Sequence, residues 1–149
     1  MILKMKKIYL LIISFLLISC SFNQTFSNRE SDKNDAEKIS KKFYWELRYG
    51  ANYDKIYSLF SNKFFEVTPK ETLDKMNTIS QNEIGPIIEY NLVKWETFVA
   101  KGTNPRSEYV LIYDVKREMG KTQETFSMRK ENGIIKIVGY RINQDLLNK

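Results

Sequence analysis

The chain has 149 residues, with 24 Lys and Arg against 18 Asp and Glu, no histidine and one cysteine, Cys20. Histidine-assisted hydrolase triads, histidine zinc sites, multi-cysteine metal sites and disulfides are excluded by that inventory; oxygen-ligand metals and carboxylate, lysine or tyrosine chemistry are left, and no cofactor is expected. The length suits one small domain, and basic residues mix with acidic ones, as at Lys38, Lys41 and Lys42 near Glu37 and Glu46, so no nucleic-acid partner is expected.

At the start, Lys4, Lys6 and Lys7 precede an almost uncharged run from Ile8 to Ile18, then Ser19 and Cys20. The apolar run is about a dozen residues, short of the roughly 20 that a membrane-crossing helix needs, and residues 1–19 read as an export signal. The tetrapeptide Leu17-Ile18-Ser19-Cys20 resembles the lipobox of bacterial lipoproteins. That resemblance implies that Cys20 takes a diacylglyceryl group, with palmitate as its label, and becomes the mature N-terminus with no free thiol left. A buried N-terminal helix with an incidental cysteine, or an ordinary secretory signal cut nearby, are the other readings of the segment. Three of the basic residues lie in the signal, leaving 21 against 18 and a mature net charge of +3. Residues 20–34 are polar enough to read as a lipidated cysteine and flexible tether, reaching on the order of 20 Å. The single α+β domain is expected over 35–149.

A first helix is expected from Asn34 or Asp35, with Ala36, Ile39, Phe43 and Leu47 on one face, ending at Gly50. Asn52 caps a short second helix with Ile56, Leu59 and Phe60 inward. Thr68-Pro69-Lys70-Glu71 carries the pattern of a capping threonine, a proline at the first helical position and a glutamate at the third. A third helix should follow, with Leu73, Met76 and Ile79 as its face, stopping before Gly85-Pro86. The Thr68 cap should be worth about 1 kcal/mol.

After Pro86 the pattern changes to runs of β-forming residues, predicting four strands at 87–100, 108–116, 122–130 and 134–142. Asn132-Gly133 is a two-residue hairpin signal. The second strand is apolar on both faces and should be central. In the third, Thr122, Glu124, Phe126 and Met128 alternate with Gln123, Thr125, Ser127 and Arg129, giving one buried and one wet face. The mixed pattern at Leu92 and Val93 suggests a bulge in a curved sheet. Helices first and a meander afterwards predict N-terminal helices packed on a curved, four-stranded antiparallel sheet.

That order, and the ending Glu131-Asn132-Gly133-Ile134-Ile135-Lys136-Ile137-Val138-Gly139-Tyr140, resemble the nuclear-transport-factor-two-like, or cystatin-like, superfamily, with Ile135 where many members carry tryptophan. Asn52 to Ser61 also resembles the second helix of small bacterial lipoproteins of that group. The resemblance implies a cone whose sheet and first helix enclose a pocket, lined here by Trp45, Tyr109, Tyr113, Phe126 and Met128; core packing is the other role open to these side chains, and the favoured one. Relatives include isomerases and dehydratases as well as non-catalytic domains, so fold alone does not decide function. A Tyr113–Asp114 acid–base pair fails on geometry, because neighbours on a strand face opposite ways. Asp54, Glu66, Glu71 and Glu89 are explained as solvated or capping groups, so no catalytic and no metal-ligating residue is expected.

The functional expectation is a membrane-anchored envelope lipoprotein acting as a non-catalytic binding or assembly module. Its partners would be the membrane, through the lipid, and an envelope protein; exposed members of the set Tyr44, Trp45, Tyr49, Tyr53 and Trp95 would mark the interface. With two membranes present, the outer one facing the periplasm is the expected location, Ser21 being compatible with that sorting. The alternative is a small-ligand-binding or isomerase- or dehydratase-like enzyme using the cone pocket. Inhibition of a secreted enzyme follows from analogy alone.

Overall fold

A computed structural model describes residues 23–50 and 52–143; the signal and the lipobox, Cys20 included, lie outside the described residues. The chain begins with a strand, β1 (Gln24–Ser27), and a helix, α1 (Glu30–Trp45), which continues as a π-helical turn over Glu46–Gly50. Short helices α2 (Tyr53–Tyr57) and α3 (Asn62–Val67) precede α4 (Lys70–Ile84). Four strands follow: β2 (Ile87–Lys101), β3 (Arg106–Arg117), β4 (Gly120–Glu131) and β5 (Ile134–Asn143). The five strands form one antiparallel sheet in the order β1-β2-β3-β4-β5, with the helices packed on it.

The β-half follows the sequence pattern closely. β3 is the central strand. Thr122, Glu124, Phe126 and Met128 of β4 are all buried, and an extra residue at Val93 shifts the β2–β3 register between Leu92 and Lys94. Asn132 and Gly133 both take positive φ, 50° and 83°, as a type I′ hairpin turn requires. The outer edge of β5 is partly covered: the Ile137 amide donates to Leu59 O, and Ser61 N donates to Ile137 O at 2.8 Å.

Two expectations for the N-terminal half are corrected. Residues 24–34 are not a tether. Gln24 to Ser27 pair with Lys101 to Phe98, adding the fifth strand. Asn28, at φ 51°, fastens the corner, its side-chain oxygen accepting from Thr97 N and its amide donating to Thr97 O, both at 2.9 Å. Asparagine tolerates that left-handed backbone better than most residues. α1 therefore starts four residues earlier than Asn34, where the Arg29 guanidinium pairs with both Asp32 oxygens at 2.7 and 2.9 Å and lies over the Phe26 ring.

The second correction concerns α4 and its entry. Thr68 makes no cap bond; it ends α3, a helix the sequence pattern did not reveal, with its amide donating to Phe64 O. The buried face of α4 is Leu73, Asn77, Ser80 and Ile84, so Met76 is only half-buried and Ile79 is exposed. The short second helix behaves as expected, Asn52 Oδ1 accepting from Lys55 N at 3.1 Å. Asn52→Ala should therefore cost about 1 kcal/mol and Thr68→Ala less than about 0.5 kcal/mol, read as urea midpoints; the reverse ranking would contradict both assignments.

Candidate functional site

Tyr109, Tyr113, Phe126 and Met128 belong to the buried core. Each is buried to 2% exposure or less, and they fill the space between α1 and the sheet. Phe43 and Tyr44 of α1 descend into the same space, meeting Phe126 edge-on at 5.3 and 5.6 Å and, from Tyr44, Tyr113 at 5.4 Å. These T-shaped contacts lie in the favourable range for aromatic pairs, each worth about 0.5–1.5 kcal/mol beyond the area buried. Trp45, the fifth expected lining residue, follows Tyr44 on the helix and faces outward at 61% exposure.

One charged group is enclosed in this packing. Glu124 is fully buried, and its two oxygens accept four hydrogen bonds. Oε1 takes Arg117 Nη2 at 2.9 Å and the Thr122 hydroxyl at 3.1 Å; Oε2 takes the Tyr140 hydroxyl at 2.7 Å and the Tyr44 hydroxyl at 3.1 Å. Arg117 is itself 3% exposed and reaches Gly85 O through Nη1. Burial, and next the neighbouring Glu124 charge, push the Tyr44 and Tyr140 phenols well above their ordinary value. Burial likewise raises Tyr113, whose hydroxyl pairs with Ser40 at 2.7 Å. The Tyr44 and Tyr140 phenols act as donors to Glu124. With four donors from separate elements converging on one side chain, the cluster is a structural clamp joining α1, β3, β4 and β5.

Beside the clamp lies a cavity of about 180 Å³ between the π turn, α4 and the starts of β2 and the β3–β4 hairpin. Arg48 and Tyr49 come from the π turn, Asn77 and Gln81 from α4, Ile87 from β2 and Arg117 from β3. Asn77 is 4% exposed, yet neither atom of its carboxamide has a partner among the described residues. Arg117 Nε is also without one. The Asn77 carboxamide thus presents a donor and an acceptor in a wall of the cavity.

The π turn also displays an aromatic surface. The Trp45 and Tyr49 rings are 4.8 Å apart, both 61% exposed, and the Arg48 guanidinium lies 4.9 Å from the Tyr49 ring centroid. π turns widen the helix by one residue and recur at functional sites. Here the widened turn is closed by Gly50, where a Cβ would stand 2.0 Å from Glu46 Oε2. Among the other aromatics of the expected interface, Tyr53 is exposed, Trp95 half-buried and Tyr44 core.

No family model, no curated protein and no solved structure matches this chain. No helix among the described residues is long and apolar enough to cross a membrane. The sequence pattern did place Glu124 on the inward face of β4, as the one charge in an otherwise uncharged series, and Arg117 continues the inward series Tyr109, Leu111, Tyr113, Val115 at the same period of two. Those charges at core positions were the available signal for the clamp. Asn77 gave none, because it became visible only once the buried face of α4 was known.

Proposed function

We propose that the protein is a lipid-anchored envelope lipoprotein whose domain, of the nuclear-transport-factor-two-like kind, is a non-catalytic module that binds a protein partner through the Trp45–Arg48–Tyr49 surface. The lipobox-like Leu17-Ile18-Ser19-Cys20 supports the anchor. The observation that carries the binding reading is the exposed Trp–Arg–Tyr cluster beside a cavity. Tryptophan, tyrosine and arginine are the residue types that dominate binding energy at protein interfaces, and they act as anchors next to pockets. The cavity, at about 180 Å³, is below the roughly 300 Å³ at which sites for drug-sized ligands begin, and suits one side chain or peptide group of a partner. The Asn77 carboxamide offers both a donor and an acceptor, the complement of a peptide unit.

A photocrosslinking residue placed at Tyr49 in cells tests this. One discrete adduct is expected, weakened at least tenfold by Trp45→Ala and missing when the crosslinker stands at Val67, which is 85% exposed on α3. Equal adducts from both positions, or insensitivity to Trp45, would reject the surface. Cys20→Ser should abolish palmitate labelling and membrane retention; survival of both would reject the anchor alone.

The small-ligand reading retains one observation, the unpartnered Asn77. If a free solute occupies the cavity, Asn77→Leu should abolish its effect on thermal stability while leaving the Tyr49 adduct intact.

A further inference from the structure

Asn23 is the first described residue, and it is already fixed: its side-chain oxygen accepts from Thr103 N at 3.1 Å, and the next residue, Gln24, pairs with Lys101. The chain thus enters the domain at the β2–β3 hairpin. Cys20 is three residues earlier, and at 3.8 Å per Cα step the gap spans at most about 11 Å. A lipid on Cys20 would keep this end of the sheet within reach of the headgroups, whatever path the intervening residues take.

This end is also basic. Because the strands alternate in direction, the β2–β3 and β4–β5 hairpins share it, with Lys101, Arg106, Arg129, Lys130 and Lys136 in or beside them. The carboxylates there are Glu108, shared by Arg129 at 3.3 Å and Arg106 at 3.7 Å, and Glu131, which accepts from Ser61. Asp35 of α1, near Lys130, is balanced by Lys38 at 2.8 Å. Five cations therefore face two carboxylates, Glu108 and Glu131. The opposite end is mixed, with Lys116 and Lys121 against Glu83, Glu89 and Glu118. At the basic end the outer face is concave: a shallow depression of about 390 Å³ is walled by Phe98, Asn104, Pro105 and Arg106, and the Arg106 guanidinium lies 5.1 Å from the Phe98 ring centroid.

We infer that the end of the sheet formed by the β2–β3 and β4–β5 hairpins docks on the anionic phospholipid headgroups of the bilayer that holds the Cys20 lipid. The inference rests on the lipid-anchor reading above. Its consequence is an orientation. Arg117, at the far end of β3, lies 11 residues from Arg106, roughly 35 Å along the strand at about 3.3 Å per residue. The Asn77 cavity and the β3–β4 hairpin then point away from the membrane, toward a partner.

Lipidation consumes the only cysteine, so a cysteine placed in the mature lipoprotein can carry a spin label uniquely. The test uses Asn104→Cys on the docking hairpin and Met119→Cys on the distal one, with the full lipoprotein reconstituted in vesicles of phosphatidylcholine with and without phosphatidylglycerol. Collision with an aqueous nickel chelate is then measured. In anionic vesicles the label at 104 should be shielded at least threefold relative to 119. The shielding should fall away in pure phosphatidylcholine, in about 1 M salt, where screening shortens to about 3 Å, and after the joint change Arg106→Glu, Arg129→Glu and Lys130→Glu. The salt arm decides the matter if that variant does not fold. Equal exposure of the two labels in anionic vesicles, or shielding indifferent to lipid charge and salt, overturns the inference. The mass of the purified chain reports separately whether Cys20 carries lipid.

Discussion

Glu124→Leu is expected to remove about 3–5 kcal/mol of stability, because it strands the Arg117 guanidinium, 3% exposed, without its counter-charge. The Tyr44, Tyr140 and Thr122 hydroxyls lose their common acceptor in the same step. Against a typical total of about 5–15 kcal/mol for a domain, that is roughly a fifth or more of the margin. Arg117→Met should cost a similar amount for the reciprocal reason. The double variant Arg117→Met, Glu124→Leu should be clearly more stable than either single variant, since a buried pair replaced as a unit by apolar groups of similar volume is often near neutral. Urea midpoints of the four proteins read the coupling directly. Additive losses would mean that Glu124 is held by the tyrosines alone and that the ion pair contributes nothing.

The clamp explains which parts of the molecule were legible in the sequence. Strand alternation and turn chemistry are local, and Thr122 to Met128, the Val93 bulge and the Asn132-Gly133 turn were all readable from neighbours within a few residues. β1 was not: Gln24 to Ser27 become a strand only because β2 offers an edge more than 70 residues later, and four polar and aromatic residues carry no signal of that alone. The Thr68 motif failed for the opposite reason. Its local chemistry was right for a cap, but the last turn of α3 claimed the residue first. The aromatic set shows the same division. Period two placed Tyr109, Tyr113, Phe126 and Met128 inward correctly, yet whether an inward residue lines a void or fills it depends on what the opposite layer contributes. Here Phe43 and Tyr44 fill it. The Trp45–Tyr49 surface depends on a π turn, which shifts the side chains after Trp45 off the helical period that the sequence pattern assumes.

The same packing predicts a steep loss of stability in alkali. Tyr44, Tyr113 and Tyr140 all have their phenols raised by burial, and for Tyr44 and Tyr140 the Glu124 charge adds to it. In the unfolded chain each would ionise near pH 10. A raised folded value means that the native state keeps protons the unfolded state releases. The stability held by these groups is therefore fully present below about pH 10 and is lost as pH rises from there toward the folded values. Each proton that the folded state withholds contributes at most about 1.4 kcal/mol per pH unit, so several buried phenols together make the loss steep. The domain should then unfold cooperatively in alkali above pH 10, the buried phenolates appearing in ultraviolet absorbance in step with the loss of far-ultraviolet circular dichroism. Tyr113→Phe removes one withheld proton and leaves the Glu124 clamp intact; it should make the loss shallower without steepening it elsewhere. Ionisation of all tyrosines while the circular dichroism stays native would mean that the aromatic interior admits water. It would then be an open pocket, and the small-ligand reading of the domain would return.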